Sequence, residues 1–262
     1  MDWASYWRSP ADPVEAMHAH FERHVYHRHS HDSYSFGVTE TGAQAFTCRG
    51  AAQTSAAGMV MTFNPDDPHD GHAATEGGFS YKMVHIGPSI IADVLGGDAG
   101  LPLFAEPVRH DPVLAAALHR LHDALRAGEP LRTDEAIADT VRALIRRGST
   151  RGRSTGPVRI PTGVARAREL LHADYARAIT TADLADVAGC SRFALHRAFT
   201  AAYGLAPSDY QRQLRLRAAR RLLADGHTAA GAAADTGFAD QAHLTRWFVR
   251  CYGITPARYR AA

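Results

Sequence analysis

Apolar positions along the chain change period between its two halves. From Tyr34 to His85 they alternate with polar ones in four short runs: Tyr34-Phe36-Val38, Ala45-Phe46-Thr47, Met59 to Phe63, and Phe79-Tyr81-Met83-His85. Turn-forming residues separate the runs at Thr41-Gly42, Arg49-Gly50, Asn64-Pro65-Asp66-Asp67-Pro68 and Gly87-Pro88. Period two puts every second side chain on one face, so short strands at about ten-residue spacing are expected, in a small β-barrel or sandwich. From Pro112 the period becomes helical. Val113, Leu114, Ala117, Leu118, Leu121 and Leu125 form one stripe, stopped by Gly128-Glu129-Pro130. Ile137, Val141, Leu144 and Ile145 form a second, closed by Arg146-Arg147-Gly148. These stripes at 112–147 either pair two subunits or cover the sheet.

Gly148 to Pro161 has no apolar period and is rich in Gly, Ser, Thr and Arg, which predicts a linker over 148–161 between domains at 1–147 and 162–262. Everything beyond reads as helix. Val164 to Tyr175 is one helix, and Thr181 to Ala188 a short one capped by Thr180 or Thr181. Gly189 breaks the pattern, and Ser191 caps a helix that runs through Ala202 and stops at Gly204. Ser208 to Ala224 is long and studded with arginine. The order then recurs: a short helix from Thr228, a break at Gly237, a helix from Asp240 to Cys251, and a stop at Gly253.

Two copies of short helix, glycine turn and second helix, at about 181–202 and 228–251, predict a doubled helix-turn-helix. Such a unit needs a second helix that packs on the first with one side and meets base edges with the other. In the first copy Leu184, Val187, Leu195 and Phe199 supply a packed face, leaving Arg192, Phe193, His196 and Arg197 outward. In the second, Phe238, Leu244, Trp247 and Phe248 pack, leaving Asp240, Gln241, His243, Thr245, Arg246 and Arg250 variously exposed. Arginine suits guanine and phosphate, and glutamine suits adenine. Any single arginine here can equally belong to a solvated helix face.

Charge sharpens this division. The net charge of +2 hides a surplus of six over residues 162–262, with 14 Arg against 8 Asp and Glu, and a deficit of four over residues 1–161. A basic C-terminal domain points to a polyanion partner for that half alone. No run of about 18 apolar residues suggests a membrane span. The first ten residues lack the apolar stretch of a secretory signal. Cys48, Cys190 and Cys251 are too scattered for a disulfide framework or a thiolate zinc site, so a reduced, cytoplasmic protein is expected.

The segment from Thr181 to Arg260 resembles the AraC/XylS family of transcription regulators. The resemblance rests on DLADVAGCSRFALHRAF, YGLAPSDYQRQLRLRAARRLLADG and DTGFADQAHLTRWFVRCYGITPARYR. The Gly-Phe-Ala-Asp-Gln-x-His-x-x-Arg-x-Phe run and the closing Gly-x-x-Pro-x-x-Tyr-Arg are specific to it. It implies an all-α domain with two helix-turn-helix units in successive major grooves of double-stranded DNA, in a cytoplasmic activator that works as a homodimer with RNA polymerase. Two departures stand out. The family has branched apolar anchors at the positions of Ala229 and Ala232, each replacement forfeiting about 2–3 kcal/mol of burial, and Gly231 costs about 1 more in helix propensity. Cys190 occupies a position that is buried and apolar in the family, so a small buried thiol is expected there.

More than half of the 16 histidines fall between His18 and His85. His29-Ser30-His31 would place two imidazoles on one side of a strand, His69 follows a turn, and His85 lies on a later strand. The region from His27 to Ile86 is similar to the cupin-like sensor half of many AraC-type regulators, which implies an α+β two-domain protein with an N-terminal barrel. Measured against metal-binding cupins, His29, His31 and Gly42 fit the first motif, but Ser35 occupies the glutamate position. Gly58 and His69 fit the second motif, with its proline displaced to Pro65. Three imidazoles can still hold a zinc-like divalent ion with open positions, though the missing carboxylate lowers affinity. The alternatives are recognition of a small-molecule effector by His29, His31, His69 and His85, or a purely structural cluster.

These readings favour a sequence-specific DNA-binding regulator, not an enzyme, controlled by a small molecule or metal in the N-terminal barrel. A cupin dioxygenase or isomerase with an attached DNA-binding module is the alternative, opposed by the absent glutamate. A DNA-repair methyltransfer protein would need a reactive cysteine, and Phe46-Thr47-Cys48-Arg49-Gly50 offers no such context.

Overall fold

The alternating region does form strands, more of them than the pattern indicates. The computed structural model describes residues 1–9, 13–96, 100–149 and 160–262, and the chain divides into two units at residues 153 and 154. Among the described residues the N-terminal unit has nine strands: β1 (Trp3–Arg8), β2 (Val14–Phe21), β3 (Tyr26–His29), β4 (Tyr34–Cys48), β5 (Ala51–Ala56), β6 (Met59–Phe63), β7 (His69–Ala73), β8 (Phe79–Ile86) and β9 (Val108–His110). All pair antiparallel. The main path runs β1-β2-β8-β4-β6-β9, with β5 and β7 on the far half of β4 and β3 on β7.

Two expectations are corrected here. Among the described residues the sheet does not close into a barrel, because β1 pairs with β2 alone and the three-residue β9 with β6 alone. Thr41-Gly42 is not a break either: β4 passes through it with a register irregularity between Thr39 and Thr41. Gly42 has φ of +67°, and a Cβ there would lie 2.1 Å from the Gly78 carbonyl oxygen. A glycine therefore lets the strand bend against its neighbour without ending it.

The sheet's apolar face is covered by helices. After α1 (Pro88–Val94) come α2 (Pro112–Ala127) and α3 (Pro130–Gly148). Leu114, Leu118, Leu121, Ile137, Val141 and Leu144 share one core with Val14, Phe36, Val60 and Ile86. The stripes at 112–147 thus serve to cover the sheet, and Val113 and Leu131 are the large apolar side chains that α2 and α3 expose. Asp111 caps α2 by accepting from the Leu114 N–H and pairs with Arg147 of α3 at 2.7 Å, so one carboxylate ties both helices. Gly148 ends α3 and Ser149 bridges to Phe104, while residues 150–159, most of the expected linker, lie outside the described residues.

The C-terminal unit is all helix: α4 (Thr162–Ala173), α5 (Thr181–Ala188), α6 (Arg192–Tyr203), α7 (Pro207–Ala224), α8 (Ala229–Asp235), α9 (Gln241–Tyr252) and α10 (Pro256–Arg260). Val164, Leu171, Leu184, Leu195, Phe199 and Leu214 pack the first half. Leu223, Ala232, Phe238, Leu244, Phe248 and Tyr259 are buried in the second. Val187, expected in the packed face, is exposed on α5, and Cys190 is exposed in the turn after it. The alanine-rich α8 is helical with Ala232 and Ala233 fully buried, so its small side chains bring the backbone close to its neighbours.

Gly237 has the left-handed φ of +81°, and a Cβ would sit 2.1 Å from the Ala176 carbonyl oxygen. Gly226 has φ of +88° with open space around it. Gly226→Ala should cost about 1–2 kcal/mol from backbone strain alone. Gly237→Ala should cost about 2–5 kcal/mol, because overpacking adds to the same strain. Hydrogen exchange across the C-terminal unit measures both, and equal losses would refute the close approach.

His122 on α2 supplies a pH test. Both of its ring nitrogens are buried without a hydrogen-bond partner among the described residues, and its ring lies edge-on to Trp7 at 5.2 Å. Burial, helped by Lys82 and His18, pushes its pKa down to about 4 from an ordinary 6.5. The unfolded chain then takes up a proton that the folded chain refuses. Stability contributed by the neutral ring is complete above pH 6.5 and falls by about 3 kcal/mol as pH drops to 4. Unfolding of the His122→Leu variant should lack this component of the native pH dependence.

Candidate functional site

Each helix-turn-helix unit is set by local chemistry. Thr180 and Asp183 form a reciprocal capping box at the start of α5, and left-handed Gly189 ends the helix. Ser191 caps α6 by accepting from the Ala194 N–H. Thr228 caps α8 through the Gly231 N–H, and Asp240 caps α9 through the His243 N–H at 2.6 Å. Leu195 and Phe199 anchor α6, as Leu244 and Phe248 anchor α9.

The outward faces carry most of the expected side chains. Arg192, Phe193, His196 and Arg197 are exposed on α6, with Phe193 at 76% exposure. Gln241, Arg246 and Arg250 are exposed on α9, and Thr245 is half-buried. Asp240 and His243 have structural engagements. Asp240 is the helix cap. His243 Nε2 accepts from the Trp247 indole N–H at 3.1 Å, while its Nδ1 lies 3.4 Å from the Ala239 N–H. A neutral imidazole has one unprotonated nitrogen, so the shorter indole contact is the satisfied one. Trp247 in turn stacks with Arg212 at 3.7 Å and Arg250 at 5.2 Å. Arg212, on α7, escaped the sequence reading because its partner lies 35 positions away. Arg220 likewise stacks on Tyr252 and Tyr259, so part of the basic surplus serves packing.

In the N-terminal unit four distant histidines converge. His29 ends β3 and pairs in register with His69, the first residue of β7. His31 lies just beyond β3 and not on it, which corrects the expected same-strand pair. Its ring is nevertheless 4.9 Å from that of His29, 5.4 Å from His69 and 4.7 Å from His85. His85 on β8 faces Ser35 on β4, with Nδ1 and Oγ 2.8 Å apart. All four histidines are buried. One nitrogen from each of His29, His31 and His69 lies within 4.8 Å of the others.

Backbone carbonyls orient two of these rings. His29 Nδ1–H donates to the His27 carbonyl at 2.8 Å, and His69 Nδ1–H to the Asp67 carbonyl at 2.9 Å. A carbonyl only accepts, so each ring carries its proton on Nδ1 and keeps the Nε2 lone pair. Burial holds His29 well below the usual histidine range, reinforced by His69, and burial also lowers His69. Phe63 stacks on His69 at 4.1 Å. The wall also includes a buried pair that sequence did not single out, Tyr26 and Tyr81, whose hydroxyls lie 2.7 Å apart. Cys48 pairs in register with His69, but burial raises its thiol to about 11, which leaves it protonated.

Comparison with known proteins joins the two sites. Residues 13–141 match the family model of the AraC-like ligand binding domain, and residues 184–262 match a helix-turn-helix domain model. The chain belongs to the AraC-type transcription regulators. An HTH-type transcriptional regulator of Bacillus subtilis (strain 168), YbfI, is 29% identical over 220 residues, covering 82% of this chain and 80% of that protein. An AraC-like transcription regulator of Streptomyces lividans is 40% identical over 98 residues, 37% of this chain and 32% of that one. Among solved structures, ToxT from Vibrio cholerae O395 has a TM-score of 0.55 at 12% identity, covering 99% of this chain and 97% of its own. Wild-type ToxT from strain SCE256, bound to an unsaturated fatty acid, has a TM-score of 0.57 at 11% identity, covering 99% and 94%. At such identities the likeness is one of fold. This AraC-type regulator thus has an N-terminal ligand-binding domain and a C-terminal helix-turn-helix DNA-binding domain.

The placement of Asp240 yields a test. Asp240→Ala should lower the stability of the C-terminal unit by about 1 kcal/mol, whereas Asp240→Asn should retain most of it, since asparagine also caps. Hydrogen exchange at α9 without DNA reads this directly. No change in the alanine variant would return Asp240 to a role in DNA contact alone.

Proposed function

We propose that this regulator acts as a homodimer that inserts α6 and α9 into successive major grooves and changes state when a small molecule enters the N-terminal unit at the histidine cluster. The observation that carries the reading is the pair of capped second helices, each with an anchored inner face and a row of exposed polar or aromatic side chains. Arg192 and Arg246, in the early turns, suit bidentate contact with guanine, and Gln241 suits adenine. Arg197, His196 and Arg250 suit phosphate, and Phe193 suits an apolar thymine contact. Dimer pairing would use the outer surfaces of α2 and α3, where Val113 and Leu131 are exposed.

RNA polymerase as a partner, action as an activator and a cytoplasmic location complete the proposal by family resemblance. No helix among the described residues is long and apolar enough to cross a membrane. We read the N-terminal unit as a sensor and not a cupin-type enzyme, because Ser35 stands where metal-dependent cupins use a glutamate and is bound to His85. The cluster is lined by imidazoles, which favours a polar effector over the fatty acid named for ToxT.

The test is binding of the full chain to DNA fragments enriched from a random pool. Affinity should fall steeply with salt, by a log–log slope of about −0.9 per phosphate neutralised. Arg192→Ala and Arg246→Ala should each cost about 1–3 kcal/mol and relax specificity at one subsite. A uniform loss across all sequences reassigns those arginines to phosphate. Salt-independent binding, or none, overturns the reading.

A further inference from the structure

In the N-terminal sheet, His85 lies against the position where metal-binding cupins carry a carboxylate. The sequence register places it there: Ser35, at the glutamate position of metal-binding cupins, lies opposite His85 in the β4–β8 pairing. The Ser35 hydroxyl meets His85 Nδ1 at 2.8 Å, and the His85 ring packs on that of His31. The neighbouring carboxylates are engaged elsewhere. Asp67 binds Arg49 and the Asn64 backbone N–H, and Asp70 accepts from the Thr47 N–H. The donor atoms gathered at the cluster are therefore imidazole nitrogens.

We propose that His29, His31 and His69 form a divalent transition-metal site, that His85 set by Ser35 replaces the carboxylate beside it, and that the bound ion recognises an effector with an anionic oxygen donor. The residues fit such an ion. Zinc bonds nitrogen at about 2.0–2.1 Å, which needs ligand nitrogens about 3.3 Å apart in a tetrahedron. The observed limit of 4.8 Å closes to that with side-chain shifts of about an ångström. His29 and His69 already have the arrangement that metal-bound histidines adopt, one ring nitrogen donating to a carbonyl and the other carrying the lone pair. Imidazole donors favour zinc, copper, nickel or iron over magnesium and calcium. Without a ligand carboxylate the ion's two positive charges remain uncompensated. A carboxylate or similar oxyanion would then bind an open position with both coordination and charge in its favour.

This inference deepens the sensor reading, yet its test does not depend on DNA. Full-length protein stripped of metal is titrated with Zn²⁺ and Co²⁺, with bound metal measured by mass spectrometry and coordination by the visible Co²⁺ spectrum. One ion per chain is expected, undisturbed by excess Mg²⁺. His29→Ala and His69→Ala should each weaken binding at least about a hundredfold, and Ser35→Ala and His85→Ala about tenfold or more. Ser35→Glu should have the opposite sign, tightening Zn²⁺ while weakening the response of the Co²⁺ spectrum to added acetate or azide. Circular dichroism and binding to the enriched DNA report whether each variant folds. A folded native chain that takes up no more Zn²⁺ than His69→Ala overturns the metal site. Native affinity in both His85→Ala and Ser35→Ala overturns the role of that pair. A metal-loaded Co²⁺ spectrum unmoved by either anion overturns the effector assignment. Failure of DNA binding with metal uptake intact would count against the regulator reading alone.

Discussion

The curl of β4 is the constraint on which the N-terminal site depends. Ser35 and Cys48 stand 13 residues apart on this strand, about 43 Å if it ran straight. Yet Ser35 is paired with His85, Cys48 with His69, and the ring of His31 touches both histidines. The strand must therefore bend through much of a turn. It does so at the irregularity between Thr39 and Thr41, where Gly42 and Gly78 approach too closely for any side chain. An open sheet obtains by this bend the juxtaposition that a closed barrel obtains by circumference.

That juxtaposition has an electrostatic consequence. Burying several imidazoles together disfavours protonation of each, both by desolvation and by mutual repulsion. His29 shows both effects, and the carbonyls of His27 and Asp67 satisfy the protons that remain. The result, at His29 and His69, is a pair of oriented, uncharged Nε2 lone pairs. His122 shows the contrasting case: equally buried, packed on Trp7, and without a hydrogen-bond partner among the described residues, it contributes a pH-dependent weakness and no site.

In the C-terminal unit the order of events is local first. Caps at Thr180, Ser191, Thr228 and Asp240 start the helices, and left-handed glycines at 189, 204 and 253 end three of them. Apolar anchors then select the buried face, and the exposed remainder becomes available to DNA. The small residues of α8 suit this plan, since burial of Ala232 and Ala233 allows close backbone packing where a branched side chain would hold the helices apart.

Sequence alone determined the helices of the C-terminal half, because period, caps and glycine stops all act within a few residues. It also determined the outward set Arg192, Phe193, His196, Arg197, Gln241, Arg246 and Arg250, since these follow from the anchors on the same helices. Four candidate histidines were legible as a class of residue. What only tertiary structure decided are relations between distant segments. The continuity of β4 through Gly42 depends on contact with Gly78, and the open sheet edge on which strands find partners. The stacking of Arg212 on Trp247 spans 35 positions. The exposure of Val187 and Cys190 depends on what lies beyond the ends of α5. Most of all, the pairing of Ser35 with His85 is a matter of strand register, and a shift of one residue would have turned either side chain to the opposite face.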